Sequence, residues 1–448
     1  MDAERCVMVE ASNHLAKSSS SLHSPVNIQT GLNDDCLQEI FGHLDTLTDF
    51  VNVAAVCQRF RQNAMHCYPL RFRRINISND NRKSSVHPHS ISSCLRIFGH
   101  LIKSIDLICN NFDFERDDDN RKEYNFIEPS KFRKIDLLKL ISDYCGDNLV
   151  ELQISEGTDV VFNISRSSQF QVLQRLLIIY TKNVRLAAFK ELKCLKLIAN
   201  DSVNFDCVDY QFPKLTAIQF HLIRVLDESL FIDFLTANPQ IQNIRISGCQ
   251  SLSSRILQNI ENLQPNLQHL VYSTTPGDVG IEDNVLHLTK LANLKSLTVQ
   301  GFHPIYNLIN LLADREVPIE HLKISFSDAV KAMSSLTKLR SLFVRFCDKE
   351  TAYYLINNMP ALKEIDKIRV EHLWDVIEIL RTSKQLTVID FIVVNEVNVD
   401  VNRYNSILNL VKNRVKITVR TNGQLDVHQN ILDLNAEWLL WKATNNDD

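Results

Sequence analysis

From Leu32 onward the apolar residues recur at helical spacing. Leu37, Ile40, Phe41 and Leu44 fall at i, i+3, i+4 and i+7, one stripe of an α-helix. Asn33 or Asp34 supplies a side chain able to cap its start. Phe50, Val53, Ala54 and Cys57 repeat the stripe in a second helix, with Thr48 as the expected cap, and Phe60 and Ala64 mark a third. Three short helices are too small for a robust core of their own, so this segment must lean on the rest of the chain or on a partner. Residues 10–30, with Ser18–Ser21 and Pro25, carry no such stripe and read as part of a flexible N-terminal tail over 1–28.

Beyond it the period changes to a recurring template, L-x-x-L-x-L-x-x-(N/C). Ile102, Ile105, Leu107 and Asn110 fit it, as do Leu192, Leu195, Leu197 and Asn200. So do Ile241, Ile244, Ile246 and Cys249, and Leu339, Leu342, Val344 and Cys347. Copies keeping only the apolar positions start at Leu149, Leu173, Leu215, Leu267, Leu294, Ile319, Ile365 and Leu386, and from Leu192 onward the starts lie 20 to 27 residues apart. Between them run helical stripes such as Leu230, Phe231, Phe234 and Leu235, then Ile256, Leu257 and Ile260, then Tyr353, Tyr354 and Ile356, then Leu373, Val376, Ile377 and Leu380. A single strand–helix unit cannot bury both its faces, so stacking must make the core. The template predicts an α/β solenoid: parallel strands on the concave side, helices outside, and an Asn or Cys plugging the turn after each strand.

Two resemblances follow from these residues. The run Leu32-Asn33-Asp34-Asp35-Cys36-Leu37-Gln38-Glu39-Ile40-Phe41-Gly42-His43-Leu44, then Asp49-Phe50, then Val56-Cys57-Gln58-Arg59-Phe60-Arg61, resembles an F-box, with Asn33 where that family usually has Pro and Gln58 in place of a common basic residue. Residues 100–420 resemble the leucine-rich-repeat family. The first resemblance implies docking to the Skp-type adaptor of a cullin–RING ubiquitin ligase. Leu32, Leu37, Ile40, Phe41, Leu44, Val53, Val56, Cys57 and Phe60 match family positions that pack in the box or face the adaptor. Together they imply an F-box/leucine-rich-repeat substrate receptor. The alternative is a leucine-rich-repeat interaction scaffold that acts without ubiquitin ligation, its helices serving as an N-terminal cap.

The division expected is an F-box over 29–75 and a solenoid over 76–426 with an insertion near 111–130. A C-terminal capping helix and tail would occupy 427–448, carried by Ile431, Leu434, Trp438, Leu439 and Trp441. Length alone would suggest about three domains, but a helical box and one long solenoid account for the 448 residues.

Composition narrows the chemistry. With 49 Lys+Arg against 53 Asp+Glu, net charge −4, the chain lacks the cationic surplus of a general nucleic-acid binder. Only 10 glycines disfavour Gly-rich phosphate loops, and no Walker, zincin or nucleophile-elbow motif occurs. The acidic stretch Asp113, Glu115, Asp117, Asp118 and Asp119 has Asp118 and Tyr124 where a calcium loop needs Gly and Glu. His87-Pro88-His89 has no ligands at metal spacing and reads as linker. The 11 cysteines form no C-x-x-C pair, which favours a reducing, intracellular setting, cytoplasmic or nuclear, and the short apolar stretch at Val7–Val9 is no signal core or membrane span. Cys249 and Cys347 read as buried turn plugs, not nucleophiles. No catalytic group, metal, cofactor or membrane contact is expected.

The expected binding surface is the outward row of the strands. Between the paired apolar positions stand Lys196, Gln219, Arg245, Val271, Thr298, Lys323, Phe343 and Arg369, followed by Ile198, His221, Ser247, Ser273, Gln300, Ser325, Arg345 and Glu371. Lys196, His221, Arg245, Lys323, Phe343, Arg345 and Arg369 are the candidate substrate residues, a mildly basic face suited to an acidic or phosphorylated peptide.

Overall fold

A computed structural model describes residues 32–78, 90–108, 134–157, 162–163, 170–181, 183–185, 189–200, 202–204, 211–249, 251–273, 285, 287–300, 307–324, 330–394, 401–411, 416–421 and 439–443. The N-terminal tail, Asn110, the acidic stretch from Asp113, His87-Pro88-His89, Ser325, Ile431, Leu434 and Trp438 lie outside them.

Three helices open the fold: α1 (Asp34–Gly42), α2 (Leu47–Val56) and α3 (Gln58–Arg71). Asn33 caps α1, its side chain accepting from the Cys36 N–H at 2.8 Å. Thr46, not Thr48, caps α2 by accepting from the Asp49 N–H, and Cys57 caps α3. The helices do not stand apart. Tyr68 of α3 is fully buried and stacks on Phe98 with ring centroids 4.5 Å apart, and Phe72 packs on Phe50 at 5.1 Å. Phe98 belongs to the next helix, so the three helices and the solenoid share one hydrophobic core.

The solenoid proper is a parallel row of fifteen strands. It runs β1 (Arg74–Ser78), β2 (Ser104–Ile108), β3 (Glu151–Gly157), β5 (Arg175–Thr181), β7 (Cys194–Ile198), β9 (Ala217–His221), β11 (Asn243–Ser247), β12 (His269–Ser273), β13 (Ser296–Gln300), β14 (His321–Ile324), β15 (Ser341–Cys347), β16 (Glu364–Val370), β17 (Val388–Val393), β18 (Lys416–Thr421) and β19 (Leu439–Ala443). Template leucines and isoleucines are buried along the whole row, from Ile105 and Leu107 through Leu195 and Leu197 to Ile389 and Phe391. The chain is a leucine-rich-repeat-type α/β solenoid: strands form one face and the connections the other.

Those connections differ along the length. Helices α4 (Ile91–Phe98) and α5 (Lys134–Cys145) precede β2 and β3. Among the described residues the next connections carry four short strands, β4 (Phe162–Asn163), β6 (Asn183–Arg185), β8 (Ser202–Asn204) and β10 (Val225–Leu226), which pair into a second parallel sheet. Helices return with α6 (Glu228–Ala237), α7 (Ile256–Leu263), α8 (Leu308–Asp314), α9 (Val330–Met333), α10 (Lys349–Asn358), α11 (Leu373–Thr382) and α12 (Val401–Val411). Their buried faces carry the expected stripes, Phe231, Phe234 and Leu235 on α6 and Leu373, Val376, Ile377 and Leu380 on α11.

Three expectations are corrected. β1 is a strand that the template search missed: Ile75 and Ile77 pair with Ile105 and Leu107, so a boundary at residue 75 cuts through it. The copy placed at Ile365 starts at Leu362 instead, because Ile365 pairs with Leu342 and not with Leu339. A bulge in β16 sets Ile368 and Val370 at template spacing from Ile365 and produces the false frame. At the far end Leu439 and Trp441 lie in β19, paired with Ile417 and Val419, rather than in a capping helix. Their i, i+2 spacing suits a strand, and the open edge of β18 supplies the hydrogen-bond partners a strand needs.

Candidate interaction sites on the helices and the strand row

Nine residues of the helical segment were expected to pack in the box or face the adaptor, and the fold sorts them by depth. Leu37 and Phe41 of α1 are buried, with the Phe41 ring edge-on to Phe60 at 5.3 Å. Leu32, Leu44, Val53 and Phe60 are half-buried against the core, and Cys57 is half-buried at the α3 cap. Ile40 and Val56 are exposed, at 48% and 56% of their surface. Ile40 stands in the last turn of α1, and on α2 Val53 stands one turn before Val56. Each helix therefore carries an apolar ledge that the fold itself leaves uncovered.

A polar seam fixes the angle between α1 and α3. Arg59 donates from Nε to Asp34 Oδ1 at 2.8 Å and from Nη2 to the Leu32 carbonyl at 2.6 Å. Asn63 donates to the same Asp34 oxygen at 3.1 Å and accepts from Gln38 at 3.0 Å. The hydrogen bond from Arg59, then that from Asn63, holds the Asp34 carboxyl below its ordinary range.

On the strand row, in-step pairing aligns one outward position across consecutive strands: Leu177, Lys196, Gln219, Arg245, Val271, Thr298, Lys323, Phe343 and Asp366. Lys196, Arg245, Lys323 and Phe343 thus stand where the template put them. Arg369 does not. The bulge of β16 moves Asp366 into its place, and Arg369 pairs instead with Ile392. His221 stands in the next outward row with Nδ1 2.6 Å from Ser247 Oγ. Arg345 is in β15, and its side chain lies outside the described residues.

The described face is therefore basic over β7–β14 and turns acidic at β16, where Glu364 and Asp366 stand. His269 on β12 is held below its ordinary value by burial first, then by the charge of His321 and of Lys295, as fits a positive stretch. Counting missed Lys367. Its ammonium lies 5.8 Å from the centre of the Phe343 ring, and that of Lys323 lies 3.9 Å from the same ring. The overlapping frames Leu362-x-x-Ile365 and Ile365-x-x-Ile368 were the available signal of an extra residue there.

Cys249 and Cys347 are buried, and burial raises both thiols, Cys347 to about 12 with the Asp348 charge adding to it. Among the described residues, no cluster of His, Cys, Asp and Glu has metal-site geometry, and no helix is long and apolar enough to cross a membrane.

No family model matches this chain, and no curated protein matches it. Among solved structures, the crystal structure of a TLR13–ssRNA13 complex aligns with 92% of this chain and 62% of its own, at 13% identity and a TM-score of 0.36. The present chain thus spans less than two thirds of that protein's length. An octameric complex of Latrophilin 3, Unc5D and FLRT2, the last present as its LRR module, aligns with 66% of this chain and 84% of its own, at 13% identity and a TM-score of 0.28.

Proposed function

We propose that this chain is a non-catalytic substrate receptor of a cullin–RING ubiquitin ligase. Its helices would dock on a Skp-type adaptor while the strand row holds the protein to be modified. The observation that carries this reading is the exposure of Ile40 and Val56 on helices whose sequence resembles an F-box, beside Leu37 and Phe41 that are buried as internal packing. Exposed aliphatic side chains on a well-packed helical unit suit a partner's apolar surface. The receptor's contribution would be positional: it raises the effective concentration of substrate near an enzyme that other subunits recruit. The basic row with Lys196, Arg245 and Lys323 suits an acidic or phosphorylated peptide.

The test is co-purification of the intact chain with a Skp-type adaptor, compared with Ile40→Asp/Val56→Asp. Both positions are exposed, so the variant should fold, and capture should be lost. Failure of the wild-type chain to bind the adaptor would end the ligase reading. For the row, Lys196→Glu/Arg245→Glu should weaken substrate capture without altering adaptor binding.

A second reading has an observation of its own. The Tyr68–Phe98 stack and the shared core make the helices an N-terminal cap of the solenoid, which a scaffold acting without the ligase would need equally. Full interaction with solenoid partners but none with the adaptor is its signature.

A further inference from the structure

From β7 to β14 the strands pair without a register shift, and the sheet then slips twice. β15 shifts against β16 between Phe343 and Cys347, and β16 shifts against β17 between Ile365 and Ile368. Lys367 stands in the second slip with φ of +60°. The other described non-glycine residues with positive φ have structural explanations. Tyr180 stands one residue before the end of β5, Ala199 and Leu222 directly follow β7 and β9, and Glu316 follows the end of α8. Lys367 is the central residue of β16, in a conformation that disfavours any side chain and that glycine adopts freely.

The strain has a visible product. It brings a second ammonium to the ring of Phe343, whose nearer neighbour is Lys323 at 3.9 Å. A cation gains from an aromatic face, so the ring holds both lysines in place without neutralising them. Among the described residues neither ammonium is in an ion pair, although Asp366 is the ladder partner of Phe343. Two ammonium groups on one aromatic platform, where the basic stretch of the row meets β16, form a preorganised anion site.

We infer that Lys323, Phe343 and Lys367 form the anchor subsite of the row and take one acidic side chain of an extended peptide. The inference rests on the reading of the row as a peptide-binding face. A peptide suits it better than a nucleic acid, because the row's cations are few and spaced by neutral residues, whereas a phosphate backbone needs a continuous surplus.

Fluorescence anisotropy of the intact chain tests this with two labelled peptides of alternating Glu and Ser, one of them carrying a central phosphoserine. Tighter binding of the second would identify phosphate as the preferred anion, and equal binding would identify carboxylate; either result supports the subsite. Lys323→Gln and Lys367→Gln should each weaken binding by about 10-fold, and Lys196→Gln by no more than about 2-fold. Lys367→Gly is the decisive variant. It should raise Tm, by about 1–2 °C, while losing the same 10-fold in affinity. A raised Tm with unchanged affinity would overturn the anchor, leaving Lys367 as strain without function. Loss of affinity in Lys196→Gln and Arg245→Gln alone would also overturn it while sparing the row. Wild type binding neither peptide, or binding a single-stranded oligonucleotide of equal charge more tightly, would overturn the peptide reading of the row itself.

Discussion

Two stretches of the same sheet behave differently. From β7 to β14 the strands are four or five residues long and pair in step, and the template leucines and isoleucines are buried. From β15 to β17 the strands lengthen to six or seven residues and slip twice. In the even stretch, position in the template decides which side chains point in and which point out. In the slipped stretch, extra backbone decides it, and the outward row exchanges Arg369 for Asp366 and gains Lys367. Regularity builds the surface; departure from it concentrates charge at one point on that surface.

The largest expected effect separates the two stretches by packing. Leu297 of β13 is fully buried between in-step neighbours, and Leu297→Ala should cost roughly 3–5 kcal/mol. Ile365 of β16 is equally buried but lies beside a shifted ladder. Ile365→Ala should cost about 2 kcal/mol, because a bulged strand has more freedom to close on the cavity. Urea unfolding of the intact chain measures both, and equal losses would mean that the slipped stretch is packed as rigidly as the even one.

Next in size is a polar lock of the even stretch. Asn238 ends α6, fully buried; it accepts from the Phe212 N–H at 2.8 Å and donates to the Phe234 carbonyl at 2.8 Å. Gln264 repeats the device one helix later by donating to the Leu235 carbonyl at 2.8 Å. Asn238→Ala would remove both of these hydrogen bonds to the backbone and should cost about 2 kcal/mol in the same assay. A loss below about 0.5 kcal/mol would show that water replaces the amide there.

What counting residues recovers, and where it stops, follows from the same contrast. The repeats from Leu192 to Leu339 were legible because burial selects the first, fourth and sixth template positions in every copy. Asn200 and Cys249 were legible as turn plugs for the same reason and both are buried, whereas Cys347 is buried as the last residue of β15, paired with Ile368. The second sheet of β4, β6, β8 and β10 was not legible, since strands of two or three residues leave no period to detect. Leu439 and Trp441 fit a helical stripe with Leu434 and Trp438 as well as they fit a strand, and only the open edge of β18 decides between them. Of the helical segment, Leu37 and Ile40 looked alike in sequence. Which of them is covered depends on where α3 crosses, and that is a tertiary fact.

Two glycine exchanges should move stability in opposite directions. Gly248 follows β11 at φ of +64°, aligned with Ala199 and Leu222 at the same turn position, and a Cβ there would come within 2.7 Å of Leu222 Cδ2. Gly248→Ala should therefore cost about 1–2 kcal/mol. Lys367→Gly removes a strained side chain and should gain about 0.5–1 kcal/mol. If Lys367→Gly destabilises instead, the lysine stem packs against its neighbours and contributes more than its backbone costs.

The smallest effect concerns what ties α10 to α11 beside the slipped strands. Lys349 Nζ reaches Asp375 Oδ1 at 2.6 Å and Glu378 Oε2 at 2.9 Å, while Asp375 Oδ2 accepts the His372 N–H at 3.0 Å. Burial would raise the Asp375 carboxyl, but the hydrogen bonds from Lys349 and from the His372 N–H outweigh it and hold the group below its ordinary value of 3.8. A carboxyl depressed by folding stabilises the native state above its unfolded pKa, and this contribution drains away as pH falls through the folded value. Lys349 is more than a third exposed, so solvent screening keeps the contribution under about 1 kcal/mol. Wild type should accordingly exceed Lys349→Met in stability near pH 6, and the gap should narrow as pH falls below 3.8. A difference that stays constant across that range would mean that the lysine acts through the packing of its stem on Tyr353, whose ring centre is 5.9 Å from the ammonium, and the link between the helices would then be hydrophobic rather than ionic.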